Sequence, residues 1–403
     1  MTISDSLGSI PCSGGWEAAW PDADSLRERI AHAAFRAASY LTEPVCKGHE
    51  LFRRLTLVDA LDRLQGRAEA AAKKIILGIA MAGCLAAGLF TALPGIALRS
   101  FASSIQKHPY IHIATGRLEK ELPADGSFSL FTWNVCCVGG GYPISDGGVL
   151  PWQCRIGRIS ERICEMDADV VCLNEIFDFK AGDILTDKLR EAGYSHIYFN
   201  FGAKGVGSPG GLFVASKFAI EKGDFEPFPQ EMLIGRTKHC AKGVFGFDLA
   251  SGGKPFARIF ATHLQHSEEP EFPTGEEVDA RRRQMALIAA KAEWVGNRAV
   301  LVTGDLNLDD AEYRQSFWKE RFERVEPRTE FTWGGDGFCA KLVGRKRISG
   351  PLNLDYTLAL KGSAKSVDTR IVGTGFDGAV FSEEALSDHA GLFSKIILPS
   401  RLP

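Results

Sequence analysis

Five places in the sequence put a hydrogen-bonding or charged residue just after a short apolar run: Asn134, Glu175, His263 with Gln265, Asp305 with Asn307, and Asp388 with His389. Taken singly, each has an ordinary explanation. Glu175 fits a strand-end carboxylate, Asn134 a turn former, and a lone His263 is more often a hydrogen-bonded core histidine than a catalyst. As an ordered set they share a chemistry. A hard cation takes carboxylate and amide oxygens as ligands, and hydrolysis needs a histidine nearby to move protons.

Residues of this kind need rigid elements to bring them together. From Ser127 onward, short β-rich runs alternate with amphipathic helical stretches: FSLFTWNVCCV, a helix over 154–166, DVVCLNEI, a helix over 183–192, HIYFNF and GGLFVAS. VFGFDL, ARIFATHL, a long helix around 278–294, AVLVTGDLNL, LDYTLAL and HAGLFSKIIL follow. The polar residues fall at the carboxyl ends of the strand-like runs, where an α/β architecture places its chemistry. No internal repeat or low-complexity tract interrupts the pattern.

Phe131-Thr132-Trp133-Asn134, Leu173-Asn174-Glu175, Thr262-His263-Leu264-Gln265, Gly304-Asp305-Leu306-Asn307, Leu354-Asp355-Tyr356 and Ser387-Asp388-His389 resemble, in order, the six signature blocks of the endonuclease/exonuclease/phosphatase superfamily. The resemblance covers about residues 127–399. It implies a four-layer α/β sandwich, two packed mixed sheets flanked by helices, holding one or two Mg²⁺ ions, with Mn²⁺ able to replace them. By position it implies that Glu175 is the principal metal ligand, with Asn134 and Asp388 beside the metal. His389 corresponds to the general base that activates water, and Asp355 to the carboxylate that holds its imidazole. Asp305 and Asn307 correspond to the residues that orient the water and bind a phosphoryl oxygen, and His263 to one that stabilises phosphorane charge.

Within the superfamily the neutral sphingomyelinases are similar in two stretches. One runs from Thr262-His263-Leu264-Gln265 through Arg282 and Gln284 to Gly304-Asp305-Leu306-Asn307; the other is Gly210-Gly211-Leu212-Phe213-Val214-Ala215-Ser216-Lys217-Phe218-Ala219-Ile220. The sequence departs from the family at Leu306, where Phe is common, and at Cys136-Cys137, neither a proposed ligand. The resemblance implies a membrane lipid substrate, sphingomyelin or a related phosphodiester. Three other readings stand beside it: an inositol-polyphosphate or phosphoinositide phosphatase, for which Lys341, Arg345, Lys346 and Arg347 would supply charge; a DNase-like nuclease; and an inactive membrane-tethered binding module. The net charge of −3 argues against a stable nucleic-acid partner, since phosphate neutralisation needs an excess of Lys and Arg.

The N-terminal part has a different character. Residues 1–74 show helical stripes (Leu26, Ile30, Ala33, Ala34, Ala37, then Leu51, Leu55, Val58, Leu61, Leu64) that predict two or three amphipathic helices. From Ile75 to Leu98 there is no charged residue, a run longer than the roughly 20 residues that cross a bilayer core. It is expected to associate with a membrane, although Gly78, Gly83, Gly88, Pro94 and Gly95 suit a re-entrant segment or a buried hairpin as well as a span. Basic residues before the run (Arg63, Arg67, Lys73, Lys74) outweigh those after it (Arg99, Lys107), which on the positive-inside rule would export the catalytic half after one span. The ten cysteines, several in apolar runs and none in a zinc-like spacing, read as reduced thiols and favour the opposite side. Residues 99–126 read as a connector with turn signals at His108-Pro109 and Pro123-Ala124-Asp125-Gly126. Trp152, Trp294, Trp318 and Trp333 offer aromatic faces for a choline cation, though core packing is the commoner fate.

Overall fold

The computed structural model describes residues 26–61, 67–138, 149, 151–293, 298–325, 331–333, 352–373 and 386–398. The basic cluster at Lys341, Arg345, Lys346 and Arg347 and the indole of Trp294 lie outside them. Thirteen strands are described: β1 (Ile111–Ala114), β2 (Ser127–Cys137), β3 (Val170–Ile176), β4 (His196–Phe199), β5 (Phe213–Ser216), β6 (Ala219–Pro227), β7 (Gly243–Ser251), β8 (Lys254–Thr262), β9 (Ala299–Asp305), β10 (Phe322–Arg324), β11 (Asp355–Leu360), β12 (Lys365–Val372) and β13 (Gly391–Ile397). The helices are α1 (Leu26–Leu61), α2 (Arg67–Ile105), α3 (Ile156–Met166), α4 (Phe179–Glu191), α5 (Gly275–Glu293), α6 (Asp310–Gln315) and α7 (Trp318–Arg321).

The strands form a seven-stranded sheet of order β1-β4-β5-β3-β2-β13-β12 and a six-stranded sheet of order β10-β11-β9-β8-β7-β6. Each is mixed. β2 runs parallel to β3 in the first and β8 parallel to β9 in the second, every other pairing being antiparallel. Because both faces of the central strands are covered, they read as unbroken apolar runs rather than alternating ones. Phe128, Leu130, Val170 and Val214 of one sheet meet Phe245, Phe247, Ile259 and Leu301 of the other in a shared core.

Helices close the two outer faces. α3 turns Ile156, Ile159 and Ile163 onto the first sheet and ends where Asp167 adopts a left-handed φ of 47°. α4 starts at Asp178, whose side chain accepts a hydrogen bond from the Lys180 backbone N–H, and finishes with Lys188 and Arg190 in its last turn, charges matched to the helix dipole at both ends. α5 lays Met285 and Ile288 over the second sheet beside Trp318 and Phe322. The four layers expected from the sequence are therefore present.

The N-terminal part differs in detail from its reading. Residues 26–61 make one helix that continues through Pro44, and the apolar run lies inside a single helix that continues through Pro94. Neither helix breaks into a re-entrant turn. The stretch read as a connector carries the last turns of α2 and then β1, which adds to the first sheet by pairing with β4. β1 does alternate, with Ile111 and Ile113 buried and His112 and Ala114 half-buried, but four residues are too short a run to signal a strand in the sequence.

Candidate active site

The parallel pairs decide where the chemistry collects. β2 and β3 end side by side in the first sheet, as do β8 and β9 in the second, so Asn134, Glu175, His263 and Asp305 emerge at the same end of the sandwich. β11 enters from that end, pairing Asp355 with Asp305. The loop before β13 then brings Asp388 and His389 to it: Trp133 Nε1 donates to the His389 carbonyl at 2.8 Å, and Ser387 Oγ donates to the Asn134 carbonyl at 2.6 Å.

Asn134 binds the two sheets' carboxylates together. Its Nδ2 donates to Asp305 Oδ2 at 2.9 Å and to Glu175 Oε1 at 3.1 Å, while its Oδ1 accepts the Cys136 N–H at 3.0 Å. With acceptors on one side and an N–H on the other, only this amide orientation satisfies both ends. Asn134, expected beside a metal, thus meets the site as a donor. Cys136 takes a left-handed φ of 48° as the strand turns away, and Glu175 one of 67°.

A second set of contacts centres on His389. Its Nδ1 lies 2.8 Å from Asp355 Oδ2, and its Nε2 lies 3.9 Å from Asp305 Oδ2. Burial opposes charge on this imidazole, but Asp355 and then Asp305 outweigh it and raise its pKa well above the usual value. His263 Nε2 approaches Asp305 Oδ2 at 3.5 Å, and its buried Nδ1 has no hydrogen-bond partner. Burial, with Lys242 nearby, lowers the His263 pKa far enough to keep the ring neutral. Asn307, at φ 54°, donates its backbone N–H to Asp305 Oδ1 at 2.9 Å.

Two places here could hold a cation. Single ligand atoms of Asp305, Asp355 and His389 lie within 4.8 Å of one another. At the mouth, Glu175 is raised to about 7, first by loss of solvation and then by the charge of Asp388. Asp305 is raised to about 6 by burial, with His389 pulling the other way. All eight predicted site residues therefore lie at this one end of the sandwich.

Asn174 and Lys242 shape the site although the sequence reading gave neither a role. Asn174 reaches from the first sheet to the second, donating to the Thr262 carbonyl at 3.0 Å and accepting the Asp305 N–H at 2.9 Å. Lys242 is fully buried and donates to the Leu264 carbonyl at 2.7 Å; burial lowers it to about 8. Gln265 turns out to be a clip: its side chain accepts from Thr237 Oγ1 at 2.6 Å and from the Ile234 N–H at 2.9 Å, and its own N–H donates to Gln284 Oε1 at 2.8 Å. On the same helix Arg282 is exposed, whereas its neighbour Arg281 is buried against Glu312 at 2.6 Å. Among the tryptophans, Trp152 and Trp318 are core residues and Trp333 bridges His389 through its backbone.

A model described as the endonuclease/exonuclease/phosphatase family matches residues 131–389, well over half of the chain. The chain belongs to that family. No curated protein matches it. Among solved structures, a mutant beta toxin from Staphylococcus aureus with bound magnesium ions is 19% identical, covering 68% of this chain and 100% of its own with a TM-score of 0.52. Sphingomyelinase C from Streptomyces griseocarneus is 20% identical over 67% of this chain and 99% of its own, with a TM-score of 0.48. Truncated TDP2 from Caenorhabditis elegans is 21% identical over 67% of this chain and 97% of its own, also at 0.48. At 19% identity the likeness to the beta toxin is one of fold.

Proposed function

We propose that this family member is a Mg²⁺-dependent phosphodiesterase that hydrolyses sphingomyelin to ceramide and phosphocholine at a membrane surface. The observation that carries the hydrolytic part is the buried Asp355–His389 pair set beside Asp305, with Glu175 and Asp388 at the mouth. The lipid part is supported by the two stretches similar to neutral sphingomyelinases and by the apolar run of α2, whose residence in a bilayer would raise the local concentration of a headgroup substrate.

The donor set suits a hard divalent cation. Glu175 and Asp388 offer carboxylate oxygens, and a carboxyl group whose pKa is raised by burial and by a neighbouring carboxylate gains by binding one. The beta toxin that shares this fold binds magnesium ions. When bound, the ion supplies charge neutralisation for the phosphodiester and its leaving oxygen. The protein's own groups do the rest. Asp355 accepts the Nδ1–H of His389, which leaves Nε2 with its lone pair toward Asp305 and ready to take a proton from a water held between them. Asn307 and neutral His263 offer N–H groups to phosphoryl oxygens.

The test is phosphocholine release from sphingomyelin in mixed micelles with Mg²⁺, using Glu175→Ala and His389→Ala as controls. Release that disappears with EDTA and in both variants is the expected result. No phosphocholine, with phosphoinositide dephosphorylation or DNA cleavage by the same preparation, would retain the family chemistry and reject the lipid substrate. No turnover of any phosphodiester would reject the enzyme and leave a binding module.

A further inference from the structure

We infer that α2 lies along a lipid surface without crossing it, so that the N-terminal segment and the catalytic domain stay on the same side. The inference rests on membrane association, which the proposed function shares, and goes beyond it to the topology. Three observations carry it.

First, α2 is one-sided. The face toward α1 is made of small residues: a Cβ at Gly88 would come within 2.7 Å of Val45 Cγ2, and one at Gly95 within 2.7 Å of Thr42 Cγ2. The opposite face carries Ile75, Ile79, Phe90 and Leu93, of which Phe90 is 81% exposed. Only 6% of the most apolar window of α2 is buried within the protein. This stripe is charge-free from Ile75 to Leu98, about 36 Å at 1.5 Å per residue.

Second, α1 travels with it and is polar. Contacts of Gly48 with Leu85 and of Gly88 with Val45 set the two helices antiparallel, so the middle of the apolar run lies beside Glu43, Lys47 and Glu50. Were α2 to cross a bilayer, those groups would enter the middle of the hydrocarbon, where charged side chains are costly. Lying in the interface, the hairpin keeps them on the protein side and gives only its apolar face to lipid.

Third, the catalytic domain is fastened to this hairpin through the first half of α1 and the last turns of α2. Lys180 of α4 pairs with Glu43 at 2.6 Å and caps the Tyr40 ring at 4.2 Å, Arg36 pairs with Asp183 at 2.5 Å, and Arg99 donates to the Gly207 carbonyl at 2.8 Å. Phe35 and Ala102 sit in the same core as α3 and α4. That end of the hairpin and the catalytic domain therefore form one piece.

The experiment uses the full chain with an N-terminal epitope tag, bound to closed vesicles of phosphatidylcholine and sphingomyelin, with protease added outside. Tag and catalytic domain are expected to be cleaved over the same protease range. Protection of one while the other is digested would overturn the proposal. In parallel, Phe90→Glu with Leu93→Glu is expected to reduce flotation with vesicles at least tenfold while the thermal melt is unchanged. Undiminished flotation would overturn it, as would a dimer in vesicle-free buffer that the double variant converts to monomer, because a second copy would then cover the stripe. Neither readout uses turnover, so a wrong substrate assignment would leave both intact.

Discussion

At the scale of single residues, the Asp355–His389 contact is the most informative. A buried imidazole normally loses its proton easily; here the carboxylate of Asp355 at Nδ1 and that of Asp305 near Nε2 reverse the balance. If His389 accepts the proton of the attacking water, it must be neutral to act, and its raised pKa sets the acid limb of the rate profile. Asp355→Asn removes the main stabiliser of the imidazolium. We expect kcat to fall about 10²–10⁴-fold, the usual worth of acid–base catalysis, and the acid limb of kcat/KM to move to lower pH. A limb that stays in place, measured on a water-soluble phosphodiester, would mean that another group titrates. Glu175 makes a separate prediction. Its carboxyl group is held up at about 7, so protons and Mg²⁺ compete for it near neutrality. The Mg²⁺ concentration giving half-maximal rate should rise as pH falls from about 8 to 6, and Glu175→Gln should remove most of that dependence.

At the scale of elements, the site depends on two sheets meeting in one register, and Asn174 is the side chain that joins β3 to the ends of β8 and β9. Replacing it by Ala leaves the Asp305 N–H and the Thr262 carbonyl buried without this partner. That should cost about 2–4 kcal/mol in urea unfolding, with activity falling further than stability because Asp305 loses its backbone anchor. Gly304, one residue earlier, sits at φ 133° where a Cβ would come within 2.0 Å of the Thr262 carbonyl oxygen. Gly304→Ala is expected to destabilise by about 2–5 kcal/mol, from strain and overpacking together; a loss under 1 kcal/mol would show that β9 can shift. Four of the six blocks and their strands were legible in the sequence because each couples a short apolar run to a polar residue at its end; Asp355 instead opens β11 and Asp388-His389 precede β13, and these stood out through the resemblance. β6 was not legible, since its alternation is broken by the register shift between Glu221 and Asp224. Lys242 and Asn174 were equally hidden: a lysine before a strand and an asparagine beside a better candidate gain meaning only when the second sheet arrives over them.

For the whole molecule, two sets of buried groups pull its stability in opposite directions with pH. His32 and His112 are lowered to about 3, mainly by burial, and His266 to about 4. Their folded values lie below that of the unfolded chain, so stability is lost as pH falls below about 6.5, where the unfolded state takes up protons that the native state refuses. Asp305 and Glu175 are raised to about 6 and about 7. The stability they contribute is complete at low pH and is lost as pH rises through those values, because the charged carboxylates are then held together away from water. The metal-free protein should therefore be most stable near pH 6. A divalent ion acts on the second set alone, since it binds the ionised carboxylates and leaves the histidines neutral. Saturating Mg²⁺ should raise Tm by about 3–5 °C at pH 8, as expected for a ligand at about 100 times its Kd, and by under about 1 °C at pH 5.5, where protons already occupy the carboxyl groups. Equal gains at both pH values would place the ion away from Glu175 and Asp305, and with it the assignment of the site's charge to metal binding would fall.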